Sequence, residues 1–340
     1  MRQPRIAAIA VAVALLALAL GLAACGEKSD STTGERQSFS LTLDFYPNPD
    51  HAGIYMAQKL GYFEEAGLDV SIATPSDPAA PIKQVAAGRS DLAVSYEPEV
   101  DLAREQGLDV VAVAALVNRP LTSLIWLRKS GIKGIGDLKG KTVAYAGIPY
   151  QEAFLKTILA RVQLSPSDVK AVNVGFGLLP ALIGGSAQAM LGGYSNVEGV
   201  DLRERGKEPV VTPVDQLGVP TYDELVLVAR RQSLEEDPER FRLFIAALAR
   251  GTNAAVERPN AATQAILQAN HGLEPELTAA EVKVTLPLLG AKTAGQPYGY
   301  MNPAEWTTFA GWMRDNGLIK SLPTAAELLS NAYLPGEIPE

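Results

Sequence analysis

The hydrophobic positions of this chain form short apolar runs separated by amphipathic segments. The apolar runs predict strands at residues 39–43, 68–73 and 92–94. The segments between these strands are predicted helices, and glycines such as Gly67 mark the helix ends. The run 110–117 is almost wholly apolar, which is typical of a strand covered on both faces. Strands that alternate with helices in this way predict a parallel sheet with right-handed crossovers.

The same alternation starts again in the middle of the chain and then gives way to helices. A predicted strand at 121–127 precedes a second alternating region, and a strand at 221–229 leads back. Helices are predicted after it at residues 238–256, 260–270, 278–286, 303–316 and 325–330. The pattern predicts an α/β protein with two parallel-sheet lobes: lobe I from 39–127 and 223–340, and lobe II from 128–222. Two crossings of the chain would form a two-stranded hinge beside a cleft.

The first residues have the composition of a secretory signal. Arg2 and Arg5 precede an apolar run at 6–20, and small residues follow it. The run is shorter than the roughly 20 residues that a membrane-spanning helix needs, which disfavours the alternative of an uncleaved anchor. We therefore expect a signal peptide at residues 1–24.

The expected cleavage point lies before the single cysteine of the chain. Leu22-Ala23-Ala24-Cys25 resembles a bacterial lipobox, which implies that Cys25 carries a diacylglyceryl group as the mature N-terminus. The polar segment that follows predicts a flexible tether, so residues 25–38 would be a lipidated tether. Such a protein would be attached to the cell membrane on its extracytoplasmic face.

Charge and composition exclude several classes of partner. The chain has 340 residues, and its net charge of −8 becomes −10 when the signal removes two arginines. A negative balance argues against a nucleic-acid partner. With Cys25 lipidated and His51 far from His271, we expect no metal site. The sequence has no Gly-x-Gly-x-x-Gly or Walker motif for binding a nucleotide, and we expect no cofactor. We also expect the protein to be a monomer.

Candidate ligand-binding residues follow the predicted strands, because ligands of open α/β sheets bind beyond the carboxyl ends of the strands. Each of five such segments contains a tyrosine, and four contain carboxylates. The candidates are Asp44, Tyr46, Asn48, His51, Tyr96, Glu97, Tyr150, Tyr194, Asn196, Glu198 and Tyr222.

These residue types favour a planar, nitrogen-containing ligand. Aromatic rings stack on flat molecules, and carboxylates accept hydrogen bonds from amino groups. Some candidates also have structural interpretations: His51 could cap a helix, Asn48 could shape an Asn-Pro turn, Glu97 could compensate a helix dipole, and Tyr222 could pack at the hinge. Acidic loops without clustered arginine disfavour an anionic ligand, although the predicted helix N-termini at Pro98 and Tyr150 remain possible anion sites.

Several motifs resemble the substrate-binding proteins related to taurine and alkanesulfonate binders and to the fungal thiamine-pyrimidine synthases. They are YPNPDHAGIY at 46–55, KLGYF at 59–63, SYEPE at 95–99, GYSNVE at 193–198 and GVPTYDEL at 218–225. Within this group the last three motifs are most similar to binding lipoproteins that deliver N-formyl-aminopyrimidine for thiamine salvage.

The resemblance implies a type II periplasmic-binding-protein fold that closes on its ligand. It also implies a non-enzymatic, lipid-anchored receptor for an aromatic heterocycle, with an ABC permease as partner. Riboflavin or an alkanesulfonate is the alternative solute. Pyrimidine synthesis is disfavoured, because the similar synthases carry a cysteine-rich iron motif and this chain has one cysteine.

Overall fold

Two five-stranded sheets organise the chain, one on each side of a cavity. The structure is a computed structural model and describes residues 36–290, 293 and 295–336. The expected signal peptide and the lipidation site Cys25 lie outside the described residues. The expected tether ends earlier than predicted, because Gln37 and Ser38 already belong to the first strand and pair with Leu68 and Asp69.

The first sheet has the order β2-β1-β3-β10-β4. Its strands are β1 (Gln37–Thr42), β2 (Leu68–Ala73), β3 (Leu92–Ser95), β4 (Val110–Val117) and β10 (Leu225–Arg230). Every residue of β4 is buried, as its apolar run predicts. The α/β fold class is confirmed, but the sheet is mixed instead of wholly parallel, since β10 runs antiparallel to both β3 and β4. The reason is topological: β10 enters the sheet on the return from the second lobe.

The second sheet has the matching order β7-β6-β8-β5-β9. Its strands are β5 (Thr122–Leu127), β6 (Thr142–Tyr145), β7 (Lys170–Asn173), β8 (Ala189–Tyr194) and β9 (Pro209–Pro213). Here β5 is the antiparallel strand, paired with β8 and β9. The expected lobe I limit at residue 127 is therefore too late, because β5 pairs only in the second sheet and the crossing precedes Thr122.

Helices cover both sheets, and the long C-terminal ones lie where the sequence predicts them. The helices are α1 (Ala52–Lys59), α2 (Tyr62–Glu65), α3 (Pro81–Ala86), α4 (Glu97–Glu105), α5 (Gln151–Ala160), α6 (Leu178–Ile183), α7 (Glu198–Glu204), α8 (Arg231–Glu236), α9 (Pro238–Glu257), α10 (Pro259–Ala269), α11 (Pro275–Thr285), α12 (Pro303–Asp315) and α13 (Ala325–Leu328). No helix among the described residues combines the length and the apolar character needed to cross a bilayer.

The core of the first lobe is closely packed around α9. Phe244 of this helix lies 4.7 Å from Phe39 and 4.9 Å from Phe63, ring centroid to ring centroid, and both pairs are stacked. Further along α9, a Cβ atom on Gly251 would lie 2.3 Å from the carbonyl oxygen of Gly53 in α1. The two helices therefore approach too closely for any residue larger than glycine at this point without a shift.

The two crossings between the sheets meet at Glu224. Its Oε2 accepts hydrogen bonds from the backbone N–H groups of Leu121 and Thr122, at 2.7 Å each, and from the Tyr222 hydroxyl at 3.0 Å. Its Oε1 accepts from the Thr122 hydroxyl at 2.8 Å. One buried carboxylate thus joins the outgoing segment to the returning one. Whether the crossings act as a hinge stays a prediction.

Candidate functional site

A cavity of about 210 Å³ lies between the lobes, at the carboxyl ends of their strands. Seven of the predicted site residues line it: Asp44, Tyr46, Asn48, Tyr96, Tyr150, Tyr194 and Glu198. The lining also includes residues that the sequence analysis did not select: Phe45, Pro47, Thr122, Ala146, Ile148, Gln151, Leu178, Gly192, Val197, Asn270 and Leu273. No lysine or arginine is among these lining residues. That the seven bind a ligand stays a prediction.

A buried hydrogen-bond network occupies the end of β1. The His51 Nδ1 accepts from the backbone N–H of Asn48 at 3.2 Å, which places the ring proton on Nε2. This Nε2–H donates to Asp44 Oδ1 at 2.8 Å, and the Tyr96 hydroxyl donates to Asp44 Oδ2 at 3.0 Å. His51 does not line the cavity. Its contacts assign it a positioning role: it holds Asp44 and the Pro-Asn-Pro loop together.

Aromatic rings form two groups around the cavity. In the interior, the Tyr96 and Tyr150 rings lie 5.8 Å apart in an edge-to-face arrangement, and both are buried. At the outer side, Phe176 of the second lobe lies 4.6 Å from Phe45 and 4.4 Å from Tyr46 of the first. Tyr46 is 47% exposed. These three outer rings contact one another across the two lobes at the mouth of the cavity.

Glu198 lines the cavity with a carboxylate. Its Oε2 accepts a hydrogen bond from the backbone N–H of Tyr194 at 2.7 Å. Burial raises the pKa of Glu198, and the backbone N–H groups of Tyr194 and Glu198 oppose that shift. The residue begins α7, where the helix dipole favours negative charge. Glu198 is therefore suited to a donor on a bound molecule.

Gln151 is a polar lining residue that the sequence analysis placed in a helix but did not select. It is 2% exposed, and its Oε1 accepts from the backbone N–H of Ala146 at 2.9 Å. Thr122 was also missed, because β5 was assigned to the wrong lobe. A glutamine at the start of a helix after a Gly-Pro loop was the available signal for the first of these.

Three other predicted site residues lie away from the cavity wall. The buried Glu97 accepts from the backbone N–H of Asp223 at 2.6 Å, and burial together with the Asp223 charge raises its pKa. Tyr222 donates to Glu224 at the crossing, and so its packing interpretation agrees with the contacts. Asn196 contacts side chains of the first lobe instead of the cavity.

Asn196 joins the second lobe to the first. Its Nδ2 donates to Asp50 Oδ1 and to the Thr285 hydroxyl, at 2.8 Å each. Asp50 is buried, and burial raises its pKa to about 7, although the hydrogen bond from Asn196 opposes that shift. The interlobe contact therefore contains an acid whose charge changes near neutral pH.

Among the described residues, no group of three or more His, Cys, Asp or Glu side chains could hold a metal ion.

The two α/β lobes, the two crossings and the cavity at the strand ends define a periplasmic-binding-protein fold. The alkanesulfonate-binding protein SsuA from Xanthomonas axonopodis pv. citri, solved with MOPS, is similar to this chain with a TM-score of 0.68. It shares 16% identity over 87% of this chain and 99% of that one, which supports the fold alone.

The chain belongs to the NMT1/THI5-like family, which matches residues 48–262. It is 34% identical to a formylaminopyrimidine-binding protein from Halalkalibacterium halodurans, over 90% of this chain and 93% of that protein. It is also 28% identical to a 4-amino-5-hydroxymethyl-2-methylpyrimidine phosphate synthase from Legionella pneumophila subsp. pneumophila, over 73% of this chain and 78% of that protein. The relatives of this chain thus include a protein named for binding a pyrimidine and a protein named for making one.

Proposed function

We propose that this protein is a solute-binding protein for an aminopyrimidine of the formylaminopyrimidine type. The observation that carries the proposal is the interlobe cavity, which the Glu198 carboxylate lines beside buried tyrosine rings. An aminopyrimidine offers a flat ring for the tyrosines and an amino group for the carboxylate. The relative from Halalkalibacterium halodurans, named for binding this class of molecule, supports the same ligand.

The size and the polarity of the cavity favour this ligand over the alternatives. A cavity of about 210 Å³ is smaller than the roughly 300–1,000 Å³ that drug-sized ligands occupy, and so a single ring fits better than a three-ring flavin. An alkanesulfonate would bring a negative charge to a lining that contains Asp44 and Glu198 but no lysine or arginine. Such a charge would be repelled rather than paired.

Pyrimidine synthesis is the second candidate, because one relative is named as a synthase. Two features support binding rather than synthesis. The chain has a single cysteine, whereas the similar synthases carry a cysteine-rich iron motif. His51 donates to Asp44 and lies outside the cavity lining, and so its ring does not face a bound molecule.

The proposed location of the protein is the outer surface of the cell membrane. The N-terminal signal pattern and Cys25 support a lipid-anchored protein on the extracytoplasmic face of the membrane. A solute-binding protein of this fold would work as a monomer and deliver its ligand to an ABC permease. Processing before Cys25 and its lipidation are testable by mass spectrometry of the mature N-terminus.

A ligand panel tests the binding proposal directly. The melting temperature is measured with an aminopyrimidine, its N-formyl derivative, riboflavin and taurine. We expect stabilisation by the pyrimidines and none by taurine, because ligands that bind only the native state raise the melting temperature. Stabilisation by riboflavin alone would favour the flavin, and release of a modified product would favour synthesis.

The matched substitutions are Glu198→Gln in the cavity and Glu204→Gln on the exposed part of the same helix. A hydrogen bond to a charged group contributes about 1.5–3 kcal/mol, and so Glu198→Gln is expected to raise the Kd about 10-fold or more. Glu204→Gln is expected to leave the Kd unchanged. An unchanged Kd in both variants would remove Glu198 from the binding site.

A further inference from the structure

The carboxamide of Gln151 has a fixed orientation at the cavity wall. Its Oε1 accepts a hydrogen bond from the backbone N–H of Ala146 at 2.9 Å. A backbone N–H can only donate, so this contact identifies the oxygen and directs the Nε2 group the other way. The side chain is 2% exposed, and it cannot turn over without leaving the Ala146 N–H unpaired.

Gly192 provides the space that the Gln151 nitrogen occupies. It lies in β8 at a register shift, where Ser123 pairs with Gly193 and Leu124 pairs with Leu191, so Gly192 has no opposite residue in β5. Its φ of +105° disfavours residues with a Cβ atom. A Cβ atom at this position would lie 2.4 Å from Gln151 Nε2. The bulge therefore keeps the wall open at the point where the nitrogen lies, as bulges near binding sites often do.

The Nε2 group of Gln151 is a donor without an acceptor. No side chain or carbonyl in the described part of the chain accepts a hydrogen bond from it, although both Gln151 and Gly192 line the cavity. Because Gln151 and Gly192 line the cavity, this donor is available to a bound molecule that supplies an acceptor. Two polar groups of the cavity are complementary: Glu198 offers an acceptor and Gln151 a donor.

We infer that Gln151 is a specificity-determining residue that donates a hydrogen bond to a carbonyl oxygen of the ligand. This inference rests on the proposed function and names the group of the ligand that Gln151 contacts. With the amino group directed to Glu198, the amide oxygen of an N-formyl group is the strongest neutral acceptor left on a formylaminopyrimidine. The protein therefore distinguishes the formylated molecule from its free amine, because a protonated amine would leave the Gln151 donor unpaired and add a positive charge beside it.

The test compares an aminomethylpyrimidine with its N-formyl derivative by titration calorimetry, in wild-type protein and in Gln151→Glu. Glutamate retains the shape and the Ala146 contact but replaces the donor by an acceptor. Wild-type protein is expected to prefer the formylated ligand, and Gln151→Glu to reduce that preference about 10-fold, with tighter binding of the free amine. Gln106→Glu, an exposed substitution of the same kind, is the matched control and leaves the preference unchanged.

Gly192→Ala supplies an independent variant. The added methyl group displaces the Gln151 nitrogen, so the preference for the formylated ligand falls in this variant as well, and melting temperatures without ligand check that both variants fold. An unchanged preference in Gln151→Glu, or equal affinity of wild-type protein for the two ligands, would overturn the inference while the proposed function stands. Failure of wild-type protein to bind either pyrimidine would instead refute the proposed function.

Discussion

Replacing Glu224 by leucine is expected to reduce the free energy of unfolding substantially, because this carboxylate joins the two crossings. Its Oε2 accepts from the backbone N–H groups of Leu121 and Thr122, at 2.7 Å each, and Glu224 is completely buried. Leucine fills the space but accepts no hydrogen bond, and both N–H groups would lose their partner. Each buried unpaired group costs about 1–3 kcal/mol, so the expected loss is about 2–6 kcal/mol.

Glutamine at the same position is the matched control. Its carbonyl oxygen can still accept from both N–H groups, and its NH2 group can donate to the Thr122 hydroxyl. Burial raises the pKa of Glu224, so the neutral side chain also removes the cost of burying a charge. The loss in Glu224→Gln is therefore expected to be less than half of that in Glu224→Leu.

The free energy of unfolding is measured by urea denaturation, followed by circular dichroism and analysed with the slope of the transition, so that a change in cooperativity is detected. A loss below about 1 kcal/mol in the leucine variant, or equal losses in both variants, would refute the reasoning that the two N–H groups depend on Glu224.

Three further predictions concern the lobes and their contacts. Asn196→Ala removes the interlobe hydrogen bonds to Asp50 and Thr285 and is expected to raise the ligand Kd about 2- to 10-fold, measured by calorimetry. Gly251→Ala is expected to reduce the free energy of unfolding by about 1–3 kcal/mol, whereas Gly311→Ala, which has open space around it, should not. Burial raises the Asp101 pKa from 3.8 to about 8. Between these two pH values the native state binds more protons than the unfolded chain, and so the free energy of unfolding falls as the pH rises from about 4 to about 8. Asp101→Asn should flatten that profile and raise stability at alkaline pH, by an amount of the order of a few kcal/mol.

Each of these predictions has an outcome that contradicts it. An unchanged Kd in Asn196→Ala would mean that the interlobe contact does not contribute to the bound state. Equal effects of alanine at Gly251 and Gly311 would contradict the close approach of α1 and α9. A stability profile of Asp101→Asn parallel to that of wild-type protein would show that another group causes the pH dependence.

The parts of the site that the sequence predicted follow from one topological rule. Tyr194 ends β8, whereas Tyr46, Tyr96 and Tyr150 follow a strand or its loop, and the carboxyl ends of strands in both sheets face the same cavity. The tyrosines could therefore be brought together without knowledge of any distance. The fold class could be predicted from a different signal, because apolar runs such as β4 mark buried strands.

The parts that the sequence analysis missed depend on pairing across long separations. The assignment of β5 to the first lobe was wrong because its apolar pattern is the same in either sheet, and Thr122 was overlooked with it. The partner of His51 is Asp44, which the sequence places nearby but does not orient. Glu97 meets Asp223 across 126 positions, and no periodic pattern records such a contact.

The placement of β10 has a consequence for biosynthesis. This strand lies between β3 and β4, so the gap between those two strands is filled only after the ribosome has made residue 230, beyond the whole second sheet. The second sheet, whose strands all lie between residues 122 and 213, can pair completely before that moment. During translation, β3 and β4 would present unpaired edges, which attract other chains. A nascent chain arrested before β10 should therefore be sensitive to proteases in its N-terminal part and depend on chaperones until the last strand arrives.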